Sequence, residues 1–137
     1  MKKVTLGVSA LAFVFLVSGC GDSPDAVMKD TLKLMNEAAD ALESAKDKDS
    51  AEKAKAKLQD INKRLKDVVE RAKKLKVTEQ QNKKLEEKYK DDINNMNKRM
   101  EAAAKKLGSN PEAASIVLPA VLEISKTGEE AMKAGLK

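Results

Sequence analysis

Residues 51–75 read AEKAKAKLQDINKRLKDVVERAKKL, and this stretch decides the fold. Ala51, Ala54, Leu58, Ile61, Leu65, Val68, Ala72 and Leu75 follow one another at alternating steps of three and four. An α-helix turns once in about 3.6 residues, so these side chains form one narrow stripe. Lys, Arg, Asp, Glu and Gln fill most of the remaining circumference. A strand would instead need apolar residues at every second position. A heptad sustained this long seeks partner helices that run nearly parallel or antiparallel to it. Asp49 or Ser50 is expected to cap its start, and Lys73 and Lys74 suit the negative end of its dipole.

The same period extends in both directions. Over residues 25–46, Met28, Leu32, Met35, Ala39 and Leu42 make a stripe that Val27, Leu34, Ala38 and Ala41 broaden. Lys46-Asp47-Lys48-Asp49 then interrupts it. Over residues 78–107 the stripe is Leu85, Tyr89, Ile93, Met96, Met100, Ala103 and Leu107. Two successive steps of four around Tyr89 move the local repeat toward eleven residues in three turns, so any supercoil should relax there. Thr78 and Gln81 have capping-box spacing, and Gly108 reads as the residue after the helix. Asn110-Pro111 then opens a fourth segment. Its Ile116, Val117, Leu118, Ala120, Val121, Leu122 and Ile124 surround the helix axis and predict burial on most sides.

Pro119 inside that segment predicts a kink or break near 115–118. A strand over 115–125 is the competing assignment, with no second strand to pair with it. Four helical segments joined by short links predict an all-α fold, an antiparallel up-down four-helix bundle with the last helix kinked near Pro119. The many alanines limit the area one copy can bury. A helical hairpin completed in a homo-oligomer is therefore the alternative.

The N-terminus carries a different signal. Lys2 and Lys3 precede an apolar run over residues 4–17, which is 14 residues long. That is short of the roughly 20 needed to span a bilayer, but it suits the apolar core of a secretory signal. Ser18 and Gly19 lead into Cys20, the only cysteine of the chain. Val17-Ser18-Gly19-Cys20 resembles the lipobox of bacterial lipoprotein precursors, with Val17 where Leu is commoner. The resemblance implies a diacylglycerol on the Cys20 sulfur and cleavage between Gly19 and Cys20. It divides the chain into a signal peptide over 1–19, a lipidated tether over 20–24 and a helical domain over 25–137. The covalent lipid is the only non-protein group it implies, with no separate cofactor. Two or three acyl chains hold a protein on a bilayer stably, whereas one does not. Gly21 follows the cysteine and Asp22 comes one place later. Under the sorting rule of enteric-type lipoproteins, this implies the periplasmic face of the outer membrane rather than the inner membrane.

Composition narrows the chemistry. The net charge is +5, and two of the basic residues are Lys2 and Lys3. Both phenylalanines, Phe13 and Phe15, lie in the proposed signal, so Tyr89 is the only aromatic residue after it. There is no His and no Trp. Histidine-based catalysis and metal ligation are unavailable, and platforms for stacking bases are missing, which argues against a nucleic-acid partner. Met28, Met35, Met96, Met100 and Met132 carry thioethers of the kind that take Cu(I), but they recur at core spacing, where Met is ordinary filler. Glu86, Glu87, Asp91 and Asp92 cluster among Lys83, Lys84, Lys88 and Lys90 and read as neutralised surface charge. No catalytic or metal-binding residue is expected.

Residues 47–76 carry an excess of five basic side chains. That face could rest on anionic lipid or a polyanionic polymer, but a solvated surface of i,i+4 pairs is the simpler account of it. Val77-Thr78-Glu79-Gln80-Gln81 is similar to the Leu-Thr-x-x-Gln motif of small helical periplasmic chaperones and stress sensors, with Val77 departing from its Leu. Lys137 stands where murein lipoprotein carries the lysine joined to peptidoglycan, and is a candidate for cell-wall attachment. The expected protein is a small membrane-anchored lipoprotein of the cell envelope that binds an envelope protein or peptidoglycan and is not an enzyme. A holdase-like chaperone or stress sensor, and an accessory subunit of a secretion or assembly complex, are the alternatives.

Overall fold

A computed structural model describes residues 22–134, which fold as α-helices α1 (Pro24–Ser44), α2 (Lys48–Lys74), α3 (Glu79–Lys88), α4 (Lys90–Gly108) and α5 (Pro111–Ala134). No strand occurs among the described residues, including 115–125. No described helix is long and apolar enough to cross a membrane. Gly19, Cys20 and Lys137 lie outside the described residues.

Local chemistry sets the helix starts. The Ser23 side chain accepts the Ala26 N–H at 3.1 Å, and Pro24 supplies a preformed first turn. α2 begins earlier than expected. Asp47 is its cap and accepts the Ser50 N–H at 2.8 Å, while Ser50 Oγ accepts the Asp47 N–H at 3.0 Å. Ser50 is thus the second partner of a capping box rather than the cap itself. The box expected at α3 forms: Thr78 Oγ1 accepts the Gln81 N–H at 3.3 Å and Gln81 Oε1 accepts the Thr78 N–H at 3.0 Å. Asn110 Oδ1 accepts the Ala113 N–H at 3.2 Å and so caps α5.

The heptad of α2 buries as its spacing requires. From Ala51 to Ala72 every stripe residue is buried, and Leu58 and Leu65 are fully so. The helix packs most extensively on α5, then on α1, while α1 also packs along α4. Fixed pairs give the directions. Arg64 on α2 meets Glu37 on α1, and Arg71 meets Asp30, so α1 and α2 are antiparallel. Tyr89 meets Asp25 and Arg99 meets Asp40, so α4 runs parallel to α1. The Asn110 side chain reaches the Lys46 carbonyl at 2.8 Å, while Asn62 meets Thr127, so α5 runs parallel to α2.

Chain direction reverses from α1 to α2 and from α4 to α5, but the neighbours differ from a simple sequential circuit. α2 touches neither α3 nor α4 among the described residues, although only residues 75–78 separate α2 from α3. The most extensive contact joins the parallel pair α2 and α5, and α4 meets α5 only weakly.

Two other expectations are corrected. The third segment is two helices, interrupted at Tyr89 (φ −103°, ψ 10°), where the steps of four carry the apolar stripe out of register. The last segment is not broken at Pro119: α5 continues through it. Pro119 and Ser115 both lie on the exposed side, so the carbonyl deprived of a proline N–H sits beside water. Nor is α5 buried on most sides. Leu118 and Leu122 are 51% and 53% exposed, because no helix covers the face opposite α2.

One polar group interrupts the α2–α5 interface. Asn62, itself buried, donates to Glu123 Oε2 at 3.1 Å and accepts from the buried Thr127 hydroxyl at 2.8 Å. The bridge satisfies both buried side chains and specifies register where an apolar contact would tolerate sliding.

Candidate functional site: an apolar cleft

The apolar residues fall into two clusters of different quality. The larger joins the α2 stripe to α1, α5 and the C-terminal half of α4. Near the 45–47 and 109–110 loops it is built mostly from Ala41, Ala45, Ala51, Ala54, Ala103 and Ala113, which let backbones approach closely. The smaller cluster centres on Leu32, Tyr89 and Met96, with half-buried Met28, Met35, Leu85, Ile93 and Met100 around it. It lies at the opposite end, where the weakly paired α4 and α5 leave a gap.

That gap is a cleft of about 360 Å³. α1 supplies Pro24, Val27, Met28, Thr31, Leu32 and Met35 as one wall. The end of α2 and the following link add Ala72, Leu75 and Val77. Leu85 from α3 and Ile93 and Met96 from α4 form the facing wall, and Gly128 and Ala131 of α5 complete it. The polar lining is confined to Thr31, Asn82, Asn97 and Ser125 and two carboxylates, Glu86 and Glu129. Among the described residues no Lys or Arg lines it. Its volume is at the lower end of small-molecule pockets, about 300–1,000 Å³. Flexible, polarizable methionines allow such a wall to adapt to different apolar shapes. Gly128 widens it: a Cβ placed there would stand 3.9 Å from the Met35 sulfur.

The α3 side of the cleft is lightly held. α3 buries no residue completely. Its attachment is an ionic clamp at Tyr89, whose hydroxyl donates to Asp25 Oδ1 at 2.8 Å. Lys88 bonds the same oxygen, and its ammonium lies 5.2 Å from the Tyr89 ring centre. Lys88 chiefly, then Tyr89 and Lys29, hold the Asp25 carboxyl down to about 2.

The acidic side of α1 is gripped on both flanks. Arg64 binds Glu37 through two nitrogens, at 2.6 and 3.3 Å. Arg71 bridges Asp22 at 2.5 Å and Asp30 at 2.7 Å. Arg99 reaches Asn36, Asp40 and Glu43. These carboxylates raise the pKa of all three arginines. Exposed pairs of this kind add little stability singly, but together they fix which helix lies beside α1.

The residues singled out from sequence are distributed unevenly over this geometry. Met28, Met35 and Met96 meet in the cleft, while Met100 packs between the two clusters. Glu86, Glu87, Asp91 and Asp92 are exposed, and only Glu86 touches the cleft. Thr78 and Gln81 are occupied with each other in the α3 cap. The cleft and the Asn62 bridge were not anticipated. Methionine concentrated in the first and third stripes is the sequence signal that bears on the first, and its core spacing masks it. A lone Asn beside Ile61 offered little to distinguish the second. No protein-family model matches the chain, and neither a curated protein nor a solved structure is detectably similar to it.

Proposed function

We propose that this chain is the precursor of a small lipid-anchored protein of the bacterial cell envelope, which acts by binding rather than catalysis. Residues 1–19 are its signal peptide, Cys20 carries the lipid, and the mature part is a four-helix bundle in which α3 and α4 count as one interrupted helix. The observation that carries the binding role is the apolar cleft, joined by the uncovered Leu118 and Leu122 on α5. A passive spacer would gain nothing from leaving apolar surface open to water.

The holdase reading would favour a concave basic face, whereas the charged groups that line this cleft among the described residues are acidic. The envelope location rests on the lipobox-like Val17-Ser18-Gly19-Cys20, with Gly21 favouring the outer membrane where there are two. An envelope protein or peptidoglycan is the partner class, with Lys137 the candidate for wall attachment.

Replacing Cys20 by Ala tests the anchor. Metabolic palmitate labelling and membrane fractionation should both lose the protein. A Cys20→Ala chain that still labels and still sediments with membranes contradicts the proposal.

A further inference from the structure

We infer that the cleft is a docking site for an aliphatic chain attached to the protein's own Cys20; the inference rests on the lipidation proposed above. Pro24, the first residue of α1, is part of the cleft wall. Cys20 is four residues away, and four residues reach at most about 14 Å. A chain bonded to the Cys20 sulfur is therefore delivered to the mouth of the cleft at the millimolar effective concentration typical of a short tether.

The lining matches that occupant in three ways. It is aliphatic and thioether, with no aromatic ring to favour a flat ligand. Its methionines adapt to a flexible chain. Among the described residues its charged members, Glu86 and Glu129, are acidic. A free fatty acid or an anionic phospholipid would bring a negative head group toward the Glu86 carboxylate, which disfavours it. A chain held by a covalent thioether needs no ionic head-group contact. The cleft and the bilayer then compete for the same acyl group, so docking withdraws one chain from the membrane and weakens the anchor.

The two apolar clusters, as far as the described residues form them, begin at Val27, so a chain beginning at Cys20 retains them. Because Cys20 is the only thiol, it can be alkylated selectively, with N-hexadecylmaleimide or with N-ethylmaleimide as the short control. The hexadecyl adduct should raise Tm by about 5 °C over the ethyl adduct. It should slow amide exchange over residues 85–97 by about tenfold, as burial of a few methylenes would. Both effects should be independent of protein concentration.

Gly128→Leu, which fills the cleft, should remove the protection. A double change of Leu118 and Leu122 to Gln, away from the cleft, should preserve it. Four results overturn the inference: identical exchange in the two adducts, protection that grows with protein concentration, loss of protection in the α5 double variant instead, or equal protection of the ethyl adduct by equimolar free palmitate. The adducts are made chemically, so failure of lipidation in cells and failure of docking are separate outcomes.

Discussion

At the end that holds the 45–47 and 109–110 loops, alanines from α1, α2, α4 and α5 meet with little room to spare; at the opposite end, methionines face one another across a gap. The same helices make both ends. Small side chains draw four backbones together at the first, and an interrupted third segment leaves α4 and α5 apart at the second. Close packing and an open site are thus divided along the helix axes rather than between separate domains. The lesson is that a regular heptad guarantees a core only where its neighbours keep the same period.

The packed interior and the open cleft should differ most under substitution. Leu65 is fully buried, and Leu65→Ala should cost about 3–4 kcal/mol in urea unfolding. Ile93 faces the cleft half-buried, and Ile93→Ala should cost about 1 kcal/mol, since no closed cavity results. Equal costs would erase the distinction. Asn62→Ala removes the bonds to Glu123 and Thr127 across the α2–α5 interface, while Thr127 keeps the Glu123 carbonyl at 3.0 Å, and should cost about 1 kcal/mol. A neutral result there would show that the polar bridge does not fix register.

Gly128→Ala should stabilise the protein by about 0.5–1 kcal/mol, because a helical glycine gains backbone order and its Cβ meets only the Met35 sulfur at 3.9 Å. A loss of stability would mean that this wall has no spare room. The smallest expected effect is local. Asp25 has its folded-state pKa lowered from 3.8 to about 2, so its clamp is at full strength above the unfolded value and weakens as pH falls through the folded one. Tyr89 is the only tyrosine of the chain, and its fluorescence should report release of α3 over that window. Asp25→Asn should flatten the pH response; an unchanged response would assign the release to another group.

Much of this contrast was legible in the sequence. The α2 stripe gave all-helical character because its period admits only one backbone, and it named buried residues from Ala51 to Ala72 correctly. The Thr78–Gln81 box and the Asn110 cap were readable because each depends on neighbours within one turn. Helix partners were not readable. That α1 lies between α2 and α4 depends on Arg64, Arg71 and Arg99 reaching carboxylates that are distant in sequence. Ile116 to Ile124 suggested burial all round, yet a helix is covered only where another helix is present, and Leu118 and Leu122 meet none. The cleft was hidden for a related reason: Met28, Met35 and Met96 have the spacing of core residues whether or not the facing helix closes on them.

Hydrogen exchange resolved along the chain tests the central claim most directly. At neutral pH, amides of residues 54–69 in α2 and 113–124 in α5 should exchange only through global unfolding, while those of residues 82–93 should exchange much faster, through local opening of the methionine end. If residues 82–93 exchange as slowly as α2, with the same dependence on denaturant, the two ends form one equally closed core and the account is wrong.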